Sequence, residues 1–323
     1  MRKAALEAEG KFFDEHQAEF DELYTKLIEN RNAQARAMGY ENYVPLSYLR
    51  MQRLGYGRKE VETYREQVVR DVVPLIARMK ARQAARCGLT DPKLYDAALY
   101  FADGNPTPTG TPEEILASGR KMYRELSPET AEFIDFMMDN ELLDVLSRPG
   151  KAPGGYCTAL PDLNAPFIFS NFNGTSGDVD VLTHEAGHAF QAYRAFLQDL
   201  PGELQSPGME SCEIHSMSME FLTTPWHHLF FGEQIEMELK RECDFLFANT
   251  VRNFISICSS MNASNCSSLV TLPAGKAILK NSSLSSGSEK RRILVISNSN
   301  SGLMLANSSS LTERIAARCS GFL

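Results

Sequence analysis

His184-Glu185-Ala186-Gly187-His188, followed by Glu213 on a second helical stretch, is the part of the sequence on which the fold turns. Residues four apart on an α-helix lie on one face. His184 and His188 can therefore aim both imidazoles at one point. A neutral imidazole nitrogen binds zinc at about 2.0–2.1 Å. Glu185 points about 100° around the helix from His184. That direction suits a proton acceptor beside a metal better than a third ligand. Gly187 leaves space for another element to approach.

The flanking sequence supports the helix. Ser176, Asp178 and Asp180 supply capping and negative charge at its start. Val181, Leu182, Ala186, Ala189, Phe190 and Ala192 give it an apolar surface, and Pro201-Gly202 stops it. Asp180 is either a partner for the second nitrogen of His184 or a plain helix-start carboxylate. A third ligand must come from elsewhere. The stretch from Glu210 to Leu222 reads as a helix ending before Pro225, with Glu213, Met217 and Glu220 on one face. Two facing helices could deliver His184, His188 and Glu213 and leave a fourth position open, as catalytic zinc sites do. A chance H-E-x-x-H in a helical interaction protein is the rival reading.

The block from Gly154 to about Gly232 resembles the M3 family of zinc metallopeptidases, its oligoendopeptidase F branch in particular. The resemblance rests on Ala165-Pro166-Phe167-Ile168-Phe169-Ser170-Asn171-Phe172-Asn173-Gly174-Thr175, on His184 to Gln191, and on Met209 to Phe221. It implies one Zn2+ held by His184, His188 and Glu213, with Glu185 as the catalytic base. Glu220 matches another acidic position of the family motif, as a support to a ligand or as a buried structural carboxylate. The implied fold is mainly α: a zincin-like helical peptidase with a small β-hairpin or sheet beside the HExxH helix. The implied activity is zinc-dependent endopeptidase cleavage of short peptides by a water that Glu185 activates. Residues 156–160 and 166–172 read as two strands joined by Pro161-Asp162-Leu163-Asn164-Ala165. An extended substrate could add to their edge, or the hairpin could be purely structural.

Three parts are expected: a helical channel-wall part over 1–150, a zinc-binding catalytic core over 151–247, and a low-complexity Ser/Asn-rich tail over 248–323. In the first, residues 1–36 form a helix offering Phe12, Phe13, Phe20, Leu23, Tyr24 and Leu27 for packing. A second helix runs from about Arg58 to Arg86, kinked at Pro74. Thr111-Pro112-Glu113-Glu114 and Ser127-Pro128-Glu129 start two more. Leu142, Leu143 and Leu146 close the helical half. His215 falls on the far side of its helix from Glu213, for packing or for substrate contact, and Cys212 reads as a small core residue.

A net charge of −8 argues against nucleic acid as a partner. No apolar run is long enough to span a membrane, and the opening decapeptide is not a signal peptide. Seven cysteines, an odd number without a C-x-x-C pair, fit reduced thiols and a cytoplasmic location. The tail differs from the rest. Residues 251–323 hold 18 serines against 10 in the first 250, and lack Tyr, Trp, His and Asp. Such a stretch buries little apolar surface to offset its ordering entropy. The expectation is a truncation or shifted reading frame after about residue 247, and a start inside the usual family chain. Family members carry a histidine and tyrosines beyond the zinc helices that steady the oxyanion. Here no Tyr follows Tyr193 and no His follows His228. Loss of one such donor costs about 2.7–4 kcal/mol. A catalytically impaired zinc-binding fragment is therefore the second expectation.

Overall fold

The structure, a computed structural model, describes residues 1–198 and 200–245; the expected tail at 248–323 lies outside the described residues. The chain opens with helices α1 (Arg2–Glu15), α2 (Gln17–Ala37) and α3 (Tyr43–Arg50). The apolar side chains expected to pack do not: Phe12, Phe13, Phe20, Leu23, Tyr24 and Leu27 are all exposed. Phe13 instead meets Phe20, ring centroids 5.4 Å apart. The expected helix over 58–86 is interrupted. Helix α4 (Arg58–Gln67) passes through a π-helical turn, Val68–Val72, into α5 (Val73–Arg86). Pro74 has no N–H and its ring crowds the carbonyl four residues earlier. Widening the turn relieves both defects without a sharp break.

Helices α6 (Pro112–Leu126) and α7 (Pro128–Asp139) begin where their caps are written. The Glu114 N–H donates to Thr111 Oγ1 at 3.3 Å, and the Thr111 N–H donates to the Glu114 carboxylate at 2.7 Å. Ser127 Oγ accepts from the Thr130 N–H at 3.1 Å. The buried faces of both helices (Ile115, Met122, Tyr123, Phe133, Ile134, Met137) lead the hydrophobic core.

Three strands follow: β1 (Leu143–Leu146), β2 (Tyr156–Leu160) and β3 (Ala165–Phe172), in sheet order β1-β3-β2. The expected hairpin is β2–β3, antiparallel, with Cys157 opposite Ile168. Leu143 and Leu146 do not close a helical half. They lie in β1, parallel to β3, with Leu143 opposite Ile168. Lys151 ties the two strands. Its ammonium, with a side chain 2% exposed, donates to the carbonyls of Asp144 and Leu146 at 3.0 and 2.9 Å, to Ser170 O at 2.5 Å and to Asp144 Oδ1 at 3.0 Å.

Ile168 and Phe172 of the central strand join the core under helix α8 (Ser176–Phe196). Gly174, at φ +80°, makes the tight entry to that helix. Asp178 accepts the N–H groups of Asn173 at 2.9 Å and Gly174 at 2.7 Å, while Thr175 occupies the cap position. After α9 (Gly202–Gln205) comes α10 (Met209–Thr223), then α11 (His228–Phe231) and helical residues 235–245. No helix among the described residues is long and apolar enough to cross a membrane.

Candidate metal centre

Helix α8 carries His184, Glu185 and His188; α10 carries Glu213 and Glu220. The helices meet at Gly187. A Cβ there would lie 2.6 Å from Ser216 Cα and 2.8 Å from His215 O. No side chain fits that gap, and its absence lets one turn of α10 rest on the turn of α8 between the two histidines.

The crossing brings one ligating atom each from His184, His188 and Glu213 within 4.8 Å of one another. The His184 and His188 rings stand at 81°, with centroids 5.0 Å apart. Both Nε2 atoms face Glu213: His184 Nε2 lies 3.4 Å from Oε2 and His188 Nε2 3.9 Å from Oε1. Tetrahedral ligands about 2.05 Å from zinc stand about 3.3 Å apart. The His184 separation matches that spacing, the His188 separation exceeds it by about half an ångström, and the three atoms as a set lie within 4.8 Å. Two imidazoles and a carboxylate are also the donor set that zinc accepts. These residues fit one zinc ion once their ligand atoms draw together around it.

The second nitrogen of His184 is occupied. Nδ1 lies 2.5 Å from Glu220 Oε1, and Glu220 is buried. A proton on Nδ1 directed at that carboxylate leaves the Nε2 lone pair for a cation. Burial opposes the charged form of His184, but the hydrogen bond and charge of Glu220 together with the charges of Glu185 and Glu213 outweigh it, so its pKa is raised. The His188 pKa is lowered by burial and by the neighbouring His184 charge. The Glu220 carboxyl is raised by burial, with His184 opposing.

Of the two openings for Asp180, the structure realises neither a bond to His184 nor a free helix-start carboxylate. Its Oδ1 accepts from Arg241 Nη2 at 2.7 Å, and Arg241 is buried against Glu238 as well. Arg241 lies outside every motif and belongs to residues 235–245, so no sequence spacing signals this contact. His215 sits half-buried on α10, its pKa lowered by burial, and its charge would further disfavour a charged His188.

Glu185 is not one of the three residues whose ligand atoms meet, yet it feels the charges of His184 and Glu213. Its carboxyl is raised by burial and by Glu213, while His184 and the Cys157 backbone N–H pull it down. A carboxyl raised in this way, beside a cation site and facing an edge strand, is suited to accept and return a proton. Cys157 sits on β2, its thiol pushed up to about 12 by burial and by Glu185.

A family model, Peptidase family M3, matches residues 131–254 and so spans both helices of the centre. A solved structure described as an oligoendopeptidase F is 51% identical, with TM-score 0.70, covering 73% of this chain and 42% of that one. A second, from Bacillus anthracis str. Ames, is 50% identical with TM-score 0.69, over 73% of this chain and 43% of that one. PZ peptidase A, solved with an inhibitor, is 49% identical with TM-score 0.71, over 76% of this chain and 44% of that one. This chain thus spans less than half the length of each. A peptidase from Chlamydophila abortus, 18% identical with TM-score 0.56, shares the fold. No curated protein matches. With a mainly helical fold, a three-stranded sheet beside the helix of the paired histidines, and half of its residues shared with these structures over three quarters of its length, the chain belongs to peptidase family M3, on its oligoendopeptidase F side.

Proposed function

We infer that this chain is a zinc metalloendopeptidase that cleaves short peptides, with His184, His188 and Glu213 holding one zinc ion and Glu185 as the base. The observation that carries the reading is the meeting of the three ligating atoms within 4.8 Å, on two helices, beside a separate carboxyl. A zinc ion there supplies Lewis-acid polarisation of the peptide carbonyl and lowers the pKa of water. The remaining steps belong to the protein. Glu220 keeps His184 in the tautomer that exposes Nε2. Glu185 takes the proton of the attacking water on its carboxylate, holds it, and gives it to the departing peptide nitrogen. Its raised pKa makes the held proton stable enough to be carried. Strand β2 is an edge of the sheet, and an extended peptide lying along it would pass Glu185. In this reading the helices of residues 1–139 serve as the channel wall, and the core runs from strand β1 through residue 245. Free thiols at Cys87 and Cys157 support a reducing, cytoplasmic setting.

A second reading is a chain that holds zinc with little turnover. A quenched fluorescent peptide separates the two. The zinc-loaded protein should hydrolyse it, and Glu185→Gln should keep its zinc and lose about 10²-fold or more in rate. Zinc bound without hydrolysis in the wild type favours the second reading. Equal rates in both proteins exclude Glu185 as the base.

A further inference from the structure

We propose that Ser216 is a positioning residue that holds the Glu213 carboxylate in its ligating orientation; this rests on the metal reading above. Ser216 is fully buried at the crossing of α8 and α10, three residues after Glu213 on the same helix. Its hydroxyl has one proton and two acceptors in reach: Glu213 Oε2 at 3.0 Å and the Glu213 backbone carbonyl at 3.2 Å. A helical serine or threonine ordinarily bonds back to a backbone oxygen. Thr223 of the same helix does so, to Met219 O at 2.8 Å and Glu220 O at 3.0 Å, and Thr183 of α8 does so, to Val179 O at 3.1 Å. Ser216 departs from that pattern: its shorter contact is to the carboxylate. A bond to a charged oxygen is also the stronger of the two.

The consequence for Glu213 follows from its surroundings. Its side chain is 31% exposed, so neither burial nor an ion pair with a Lys or Arg among the described residues fixes it. A free glutamate on a helix surface samples several rotamers. The Ser216 bond holds Oε2, which also lies 3.4 Å from His184 Nε2, and turns Oε1 toward His188 Nε2 at 3.9 Å. Gly187 completes the device. With no side chain at that position, the Ser216 backbone comes close enough to α8 for the bond to point Glu213 at the paired imidazoles. His184 thus has Glu220 as its support and Glu213 has Ser216, both supports residing on α10.

The test uses the full-length protein, stripped of metal, with zinc affinity measured by chelator competition at a temperature where the metal-free proteins remain folded. Cobalt(II) uptake provides a spectroscopic readout of ligand geometry. Ser216→Ala should weaken zinc about tenfold, the lower end for groups that orient a ligand, and should alter the visible cobalt bands. Its metal-free thermal midpoint should stay near that of the wild type. Ser216→Thr, which keeps the hydroxyl, should bind more tightly than Ser216→Ala. Unchanged affinity and unchanged cobalt bands in Ser216→Ala would overturn the proposal, whether or not the thermal midpoint falls, because only packing would then be at stake. Absence of zinc binding by the wild type would instead defeat the metal reading itself, and the role of Ser216 with it.

Discussion

Glu220 Oε1 lies 2.5 Å from His184 Nδ1, two helical turns along α10 from Glu213. One helix therefore supplies both a candidate ligand and the group that sets the tautomer of another. The His184 pKa is raised by this contact against the opposing effect of burial. Zinc must displace the His184 proton. Affinity should therefore fall as pH drops, beginning above the ordinary imidazole value of about 6.5. Glu220→Gln removes the charge that raises the pKa. The midpoint of zinc binding against pH should move to lower pH, while affinity at about pH 8 weakens roughly tenfold. Chelator competition across the range checks both, and a midpoint that stays or rises would contradict the assignment.

Gly187 sets how closely the two helices approach. Gly187→Ala places a methyl 2.6 Å from Ser216 Cα, against backbone that cannot rotate away. Overpacking of this kind costs about 1–3 kcal/mol. The variant should unfold at lower urea concentration and bind zinc more weakly, since separating the helices moves Glu213 off the histidines. Wild-type stability and affinity together would show that the crossing has slack.

Lys151 is a buried cation among oxygen atoms of β1 and β3. Lys151→Met fills the volume but strands those acceptors, and leaving a buried acceptor without its donor costs about 1–3 kcal/mol. Asp144, held below the usual carboxylate range by Arg148 first and Lys151 second, adds a pH signature. A depressed folded pKa gives stability that is present above the unfolded value of about 3.9 and is lost as pH falls further. Asp144→Asn should therefore be destabilised at pH 7, with the gap narrowing below about pH 4. Urea titrations at the two pH values read this directly.

Cys157 lies beside Glu185, the proposed base, yet its thiol should be inert. With its pKa pushed up to about 12, its thiolate fraction near pH 8 falls about 10³-fold below that of an ordinary thiol. Site-resolved mass spectrometry after iodoacetamide treatment should find Cys157 alkylated far more slowly in folded than in urea-unfolded protein. Equal rates would show that the thiolate is not suppressed.

The parts of the fold legible in the sequence are those governed by local rules. The histidine helix, the caps at Thr111 and Ser127 and the β2–β3 hairpin each depend on residues within a few positions of one another. Glu220 was visible as a helical spacing from Glu213, and Ser216 could have been found in the same way. What escaped depends on distant partners. Strand β1 has four residues and takes its identity from β3, about 25 residues on, so its leucines read as a helix end. Asp180 finds Arg241 only through the tertiary fold. The aromatic face of α1 and α2 shows the limit from the other side, since apolar spacing promised packing that the described residues do not supply.

Zinc content per chain tests the shared site most directly. Metal-free protein dialysed against zinc and analysed by atomic spectrometry should hold one ion per chain. His188→Ala and Glu213→Ala should each lose it at the same free zinc while remaining folded by circular dichroism. Full zinc occupancy in both folded variants, or none in the wild type, would contradict a centre built from His184, His188 and Glu213.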